Sequence, residues 1–225
     1  MKVVYSDLKN KRVFISGGGS GIGATIVEHF CEQKSEVYFI DIDIRSSNKL
    51  IKNIKKKGFK IPKFIECNIL DIKKLQNIIK DIISKKGAIH CLINSAANDD
   101  RHTTEQVDEK YWENRMGINL KHYFFAAQAV VKGMKKIKSG SIVNLSSVSW
   151  MLGEGDKVVY ETAKSAVVGL TRSFAQEFGK YNIRTNSVIP GSIATERQIK
   201  NWLTPKYKKL ILDSQAIKRQ LKPDD

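Results

Sequence analysis

Tyr160 and Lys164 are four residues apart, so any helix containing both carries them on one face with Cβ atoms about 6 Å apart. Such a pair can move a proton. A phenol has a reference pKa near 10, and to act as a base near neutrality it needs help from a neighbouring positive charge, which an ammonium supplies. Ser147, thirteen residues before Tyr160, can donate to or accept from the oxygen that reacts. The spacing alone carries little. Tyr5 and Lys9 show the same interval where no helix is indicated, and a chain with 39 Lys and Arg residues makes such pairs by chance. The elements that position Tyr160 and Lys164 must therefore distinguish them.

Short β-branched or aromatic runs alternate with longer segments of helical period, the pattern of repeated βαβ units around a mostly parallel sheet. Strands are expected at 12–16, 36–40, 63–66, 91–94, 141–145 and 184–189, with helices between them. The segment 111–138 is rich in helix formers, and 158–178 sets Ala163, Ala166, Val167 and Leu170 at helical intervals. Ser147 then falls just beyond a strand end. Strand carboxyl ends are where open α/β sheets bind ligands. No repeat, low-complexity tract or linker divides the chain, so one domain is expected over residues 1–225.

The run Ser16-Gly17-Gly18-Gly19-Ser20-Gly21-Ile22-Gly23 lies between the first expected strand and a helical segment. Glycines there let backbone amides approach a pyrophosphate, and the helix that follows aims its unpaired N–H groups at the same anion. The second strand ends at Asp41, eighteen residues past Gly23, where a carboxylate can accept from adenosine ribose hydroxyls. It would repel a 2′-phosphate, and no Arg in the loop or directly after Asp41 offsets this, so NAD is expected rather than NADP. A cationic oxidised nicotinamide would help Lys164 lower the Tyr160 pKa.

With these elements in place the sequence resembles the short-chain dehydrogenase/reductase family. The family's glycine pattern matches Ser16, Gly17, Gly21 and Gly23, and its Asn-Asn-Ala-Gly motif is relaxed here to Asn94-Ser95-Ala96-Ala97. Its helix asparagine matches Asn119, its serine, tyrosine and lysine match Ser147, Tyr160 and Lys164, and its Pro-Gly-x-Ile-x-Thr element matches Pro190, Gly191, Ile193 and Thr195. The resemblance implies an α/β, Rossmann-type doubly wound parallel sheet flanked by helices on both faces. It makes Tyr160 the general base, with Lys164 on the nicotinamide ribose, Ser147 orienting the reacting oxygen and Asn119 holding a relay water. It implies cofactor contacts from Gly17, Ser20, Gly21, Ile22, Gly23, Asp41, Asn68, Ile69, Asn94, Ala96, Tyr160, Lys164, Pro190, Gly191, Ile193 and Thr195. Asn68 stands where the family commonly has an aspartate.

The segments 98–102, Ser149-Trp150 and 197–205 resemble the aldose 1-dehydrogenase branch, which oxidises the anomeric hydroxyl of a sugar such as D-xylose to a lactone. Polar groups fix sugar hydroxyls while an aromatic face covers the ring's C–H surface. Trp150 and Trp202 are the aromatic candidates and Asn98, Glu154 and Gln198 the polar ones, beside Ser147 and Tyr160. Trp202 could equally anchor a helix to the core, and Asp99, Asp100 and Arg101 could form a structural turn network. A carbonyl or 3-oxoacyl reductase using NAD(P), or a Rossmann-type binding protein without turnover, are the alternatives.

The 41% hydrophobic and 28% charged composition is that of a globular protein. The net charge of +16 is spread along the chain, and Lys52, Lys55, Lys56 and Lys57, or Lys132, Lys135, Lys136 and Lys138, fit solvated helix faces better than a nucleic-acid or membrane surface. Cys31, Cys67 and Cys91 fit neither a disulfide framework nor a metal site, which points to reduced thiols in a cytoplasm. No metal is expected. The resemblance implies a further helix and a seventh strand of about thirty residues beyond LKPDD, whose lack would bare an edge strand. The C-terminal strand is therefore expected to be missing from this chain, and a homodimer or homotetramer is expected if that part is present.

Overall fold

A computed structural model describes residues 3–225. The chain begins with β1 (Arg12–Ser16), α1 (Gly21–Glu32), β2 (Glu36–Asp41), α2 (Ile44–Lys56), β3 (Lys63–Glu66), α3 (Ile72–Lys86) and β4 (Cys91–Asn94). It continues with α4 (Glu109–Met116), α5 (His122–Ile137), β5 (Gly140–Leu145), α6 (Ser149–Leu152), α7 (Val158–Phe178), β6 (Ile183–Val188), α8 (Glu196–Asn201) and α9 (Pro205–Ser214).

The six strands form one parallel sheet in the order β3-β2-β1-β4-β5-β6. Both of its faces are covered, which is why the strands read as nearly continuous apolar runs. Alternate side chains of β1 serve the two faces. Phe14 joins Ile40, Leu92 and Ile142 against Leu75 and Ile79 of α3, Val130 and Met134 of α5, and Phe174 of α7. Val13 and Ile15 join Val37 and Phe39 against Val27 and Cys31 of α1 and Ile54 of α2. Each fully buried Ile, Leu or Phe contributes roughly 1.5–3 kcal/mol by leaving water, so this two-sided core fixes which strand ends lie together. The strand order reverses between β1 and β4, and at such a switch point the loops diverge and leave a crevice at the carboxyl ends.

The expected strands are all present, with bounds displaced by a residue at β2, β5 and β6. The expected helix over 111–138 is present as helical backbone from 109 to 137. A π-helical turn, Gly117–Lys121, interrupts it and holds Asn119. Such single π-helical turns are not signalled by local propensity, and this one holds a side chain engaged in the tertiary contacts described below. Tyr5 and Lys9 flank a short 3-10 turn, Ser6–Leu8, with Tyr5 exposed, so their interval places nothing on a helix face. The lysines of α2 lie on its solvated face. All three cysteines are free, and no helix of the described residues is long and apolar enough to cross a membrane.

Candidate active site

The glycine loop follows β1 and is held from both sides. Gly17 has φ +69°, and a Cβ there would lie 2.6 Å from the Cα of Ala96, so only glycine lets the β1 and β4 loops pack backbone to backbone. Ser16 seals the junction, its Oγ accepting from the amides of Ser95 and Ala96. A Cβ on Gly23 would fall 1.9 Å from the carbonyl oxygen of Gly17, which makes the first turn of α1 close on the loop.

The start of α1 differs from its neighbours. Asp43, Asp71 and Asp108 cap α2, α3 and α4 by accepting from the amides of Ser46, Lys74 and Tyr111, whereas the Ser20 side chain caps nothing. The first amides of α1, with the positive end of the helix dipole, thus remain available to an anion. Asp41 lies at the end of β2 beside this loop. Its Oδ2 accepts from the Gly19 amide at 2.8 Å and its Oδ1 from the Asp43 amide at 2.9 Å. A carboxylate retains capacity for further donors beyond these two. The cradle therefore fits a dinucleotide.

Of the other expected cofactor residues, Thr195 approaches the loop most directly, its Cγ2 standing 3.3 Å from where a Gly21 Cβ would be. Thr195 also caps α8 through the Gln198 amide, and Ile193 is held by a parallel bridge to Leu221. Pro190 is tied to the serine loop, its carbonyl accepting from the Val148 amide, while Gly191 is exposed. Asn68 is exposed, whereas the Ile69 side chain belongs to the core. Asn94 is buried and donates to Asn144, which donates to Thr171, so its side chain is engaged in tying β4 to β5 and α7.

Ser147 follows β5, and its Oγ lies 2.9 Å from that of Ser149 and accepts from the Ser149 amide. Tyr160 and Lys164 lie on the first two turns of α7, with the Lys164 Nζ 5.6 Å from the Tyr160 ring centroid. Burial pushes the Tyr160 phenol up to about 12, against a hydrogen bond with Ser147 that lowers it. Burial pulls Lys164 down to about 7, with the Asp99 carboxylate opposing. The protein's own groups thus hold Tyr160 above its ordinary value, contrary to the lowering expected from Lys164. Desolvation of the phenolate is the largest cause, and the Lys164 Nζ donates instead to the Tyr123 hydroxyl and the Leu145 carbonyl.

Asn119 is completely buried in the π-helical turn. Its Oδ1 accepts from the Asn98 amide at 2.9 Å and its Nδ2 donates to the Asn98 carbonyl at 3.0 Å. It therefore brackets one residue of the β4 loop, Asn98, through both of its backbone groups. That loop carries Asp99, Asp100 and Arg101 into an ion network. Arg197 of α8 reaches both aspartates, Gln198 donates to Asp99 at 2.6 Å, Arg115 pairs with Asp100 and Arg101 pairs with Asp156. The Arg101 guanidinium lies 5.0 Å from the Trp202 ring centroid. The indole nitrogens of Trp150 and Trp202 are buried without a hydrogen-bond partner. Glu154 accepts from Tyr207 and Lys157, and Lys157 also pairs with Asp156 and Glu161, so a cation already occupies the middle of this acidic group.

Sequence reasoning gave no role to four residues that shape this region. His102 accepts from the Val159 amide in the first turn of α7, and Ser149 supports Ser147. His122 is fully buried against Tyr123, and Tyr123 accepts from Lys164. His102 and Ser149 stand in segments that the resemblance already marks, and Tyr123 stands four residues after Asn119.

The family described as short chain dehydrogenase matches residues 11–205. D-xylose 1-dehydrogenase of Caulobacter vibrioides (strain NA1000 / CB15N) is 40% identical over 223 residues, covering 99% of this chain and 87% of that protein. The probable galactose dehydrogenase GalD of Rhizobium meliloti (strain 1021) is 38% identical over 221 residues, covering 98% and 86%. A crystal structure of 3-oxoacyl-[acyl-carrier protein] reductase from Brucella melitensis ATCC 23457 superposes with a TM-score of 0.88 at 24% identity, covering all of this chain and 86% of that one, which speaks for the fold. The glycine loop, the helix-borne tyrosine and lysine and these matches together place the chain in the short-chain dehydrogenase family of oxidoreductases.

Proposed function

We propose that this oxidoreductase transfers hydride from the anomeric carbon of an aldose, D-xylose or a similar sugar, to NAD, giving the aldonolactone. The observation that carries the reading is the convergence of Ser147, Tyr160 and Lys164 at the strand ends beside the glycine loop. The likeness to two sugar dehydrogenases at 38–40% identity supports the substrate class. Asp41 supports NAD over NADP, because a carboxylate at the ribose position accepts from hydroxyls and repels a 2′-phosphate.

The amides of Gly17, Ser20, Gly21, Ile22 and Gly23 surround the pyrophosphate, and Asp41 takes the adenosine ribose. Asn68, Ile69, Asn94 and Ala96 line the adenine and ribose side, largely through backbone. Pro190, Gly191, Ile193 and Thr195 line the nicotinamide side. Bound NAD supplies the hydride acceptor and a cationic ring. Ser147 holds the anomeric hydroxyl by hydrogen bond, and Tyr160 removes its proton as the C–H bond breaks. Lys164 would hold the nicotinamide ribose, and a bound cationic ring would add to its effect in bringing the phenol down from the high value that burial imposes. Asn119 fixes the Asn98 loop and orders a relay water beside Lys164.

Trp150 and Trp202 flank the sugar, with Asn98, Glu154 and Gln198 around its hydroxyls. Free cysteines are compatible with a cytoplasmic enzyme. Initial-rate assays of NAD reduction across a panel of aldoses test the reading. Turnover of at least one aldose, abolished in Tyr160→Phe while NAD still binds, is the expected result. No NAD reduction with any aldose overturns it.

A further inference from the structure

Lys164 is one of the largest completely buried side chains in the protein, and a buried ammonium must have its protons accepted. Two acceptors are present. The Nζ donates to the Tyr123 hydroxyl at 2.8 Å and to the Leu145 carbonyl at 2.7 Å. Tyr123 in turn donates to the same Leu145 carbonyl at 2.9 Å, closing a triangle of three buried groups. The Tyr123 ring is fully buried, with the Nζ 5.1 Å from its centroid, and it packs against His122.

Leu145 ends β5, two residues before Ser147. The triangle therefore ties the lysine of α7 to the strand that presents the serine, through a side chain of α5. Two of the three ammonium protons are directed into the fold. One is left for the side on which Tyr160 lies.

We propose that Tyr123 is a positioning residue for Lys164, holding its ammonium in the charged form and in a single direction toward the reacting centre. The proposal rests on the reading of Lys164 as the residue that holds the ribose and assists Tyr160. Other groups facing Lys164 are His122 on α5, Tyr160 on α7 and Asp99 in the β4 loop. His122 is held neutral, its pKa pulled down to about 3 by burial and then by Lys164 itself, so it does not compete near neutrality. Asp99 favours the ammonium but also carries Gln198 and Arg197. Tyr123 is thus a neutral partner that favours the charged lysine without adding a charge.

The test reads the ionisation of Lys164 directly, by NMR of lysine labelled at Cε, with Lys164→Met identifying its resonance. Tyr123→Phe keeps the ring and removes the acceptor. The Lys164 titration midpoint is expected to fall by about one pH unit, because the charged form loses a charge-assisted hydrogen bond. The Kd for NAD, measured by calorimetry, is expected to rise by about threefold or more. A lower melting temperature with an unmoved midpoint and unmoved Kd marks a purely structural tyrosine and overturns the proposal.

A second measurement does not depend on Tyr123→Phe folding. In a Tyr160→Phe background, the Cζ resonance of one buried tyrosine should titrate with the Lys164 midpoint and stop doing so when Lys164→Met is added. No such tyrosine overturns the proposal. Neither readout uses a sugar, so failure of the aldose assay and failure of this clamp are separate results.

Discussion

The side-chain amide of Asn119 brackets the backbone of Asn98, accepting from its N–H at 2.9 Å and donating to its C=O at 3.0 Å. Both backbone groups lose their partner in Asn119→Ala. A buried polar group without a partner costs about 1–3 kcal/mol, so a loss of roughly 2 kcal/mol or more in chemical denaturation is expected. The β4 loop also carries Asp99 and Arg101, so the KM for the sugar should rise in the same variant. Asn119→Asp keeps the acceptor for the amide but sets an oxygen against the Asn98 carbonyl, and it should rescue little.

In its proposed role Asp41 selects between the dinucleotides through one carboxylate whose oxygens accept from the Gly19 and Asp43 amides. In Asp41→Ala the ribose hydroxyls lose a charged acceptor while the repulsion toward a 2′-phosphate disappears. The ratio of kcat/KM for NAD to that for NADP should fall by about tenfold or more. Steady-state kinetics with both cofactors checks this, and an unchanged ratio counts against the assigned role of Asp41.

Two glycines in helices should respond oppositely to alanine. Gly23→Ala places a methyl 1.9 Å from the Gly17 carbonyl oxygen, so the loop must open, with loss of NAD binding and a lower melting temperature. Gly169 lies on the exposed side of α7 with nothing within 4 Å of its would-be Cβ. Gly169→Ala should raise stability by about 0.5–1 kcal/mol through helix propensity. Thermal unfolding of the two variants separates a functional glycine from an incidental one.

His122 sets an acid limit on stability. Its pKa is pulled from 6.5 to about 3, first by burial and then by Lys164, so the folded chain resists a proton that the unfolded chain accepts. Its contribution is present in full above pH 6.5 and is lost progressively as pH falls toward about 3. His122→Gln should flatten the dependence of unfolding free energy on pH across that window. Denaturation curves at successive pH values measure the slope, and an unaltered slope would assign the acid sensitivity elsewhere.

Much of the architecture is legible because periodicity reports burial. β1 and β2 are apolar on both faces, and the sequence pattern already separates them from the helices on either side. The bounds of α7 coincide with the expected 158–178 because its apolar positions recur at helical spacing against the core. The π-helical turn at Gly117–Lys121 left no such trace. It holds Asn119, whose partner Asn98 lies twenty-one residues away, and periodicity carries only local information.

The site divides in the same way. The residue types, their order and the spacing of Tyr160 and Lys164 were present in the sequence, as was a glycine loop followed by an acidic strand end. Tyr5 and Lys9 share the interval of Tyr160 and Lys164, and only packing separates the two pairs. One tyrosine is exposed beside a short turn, while the other stands on a long helix near the carboxyl end of β5, where Ser147 meets it. The folded chain alone decides that Lys164 is buried, that Tyr123 and Leu145 hold it, and that Tyr160 is driven up to about 12 rather than down. Hydrogen-bond partners and desolvation depend on segments distant in the chain, and these are brought together only when the sheet assembles.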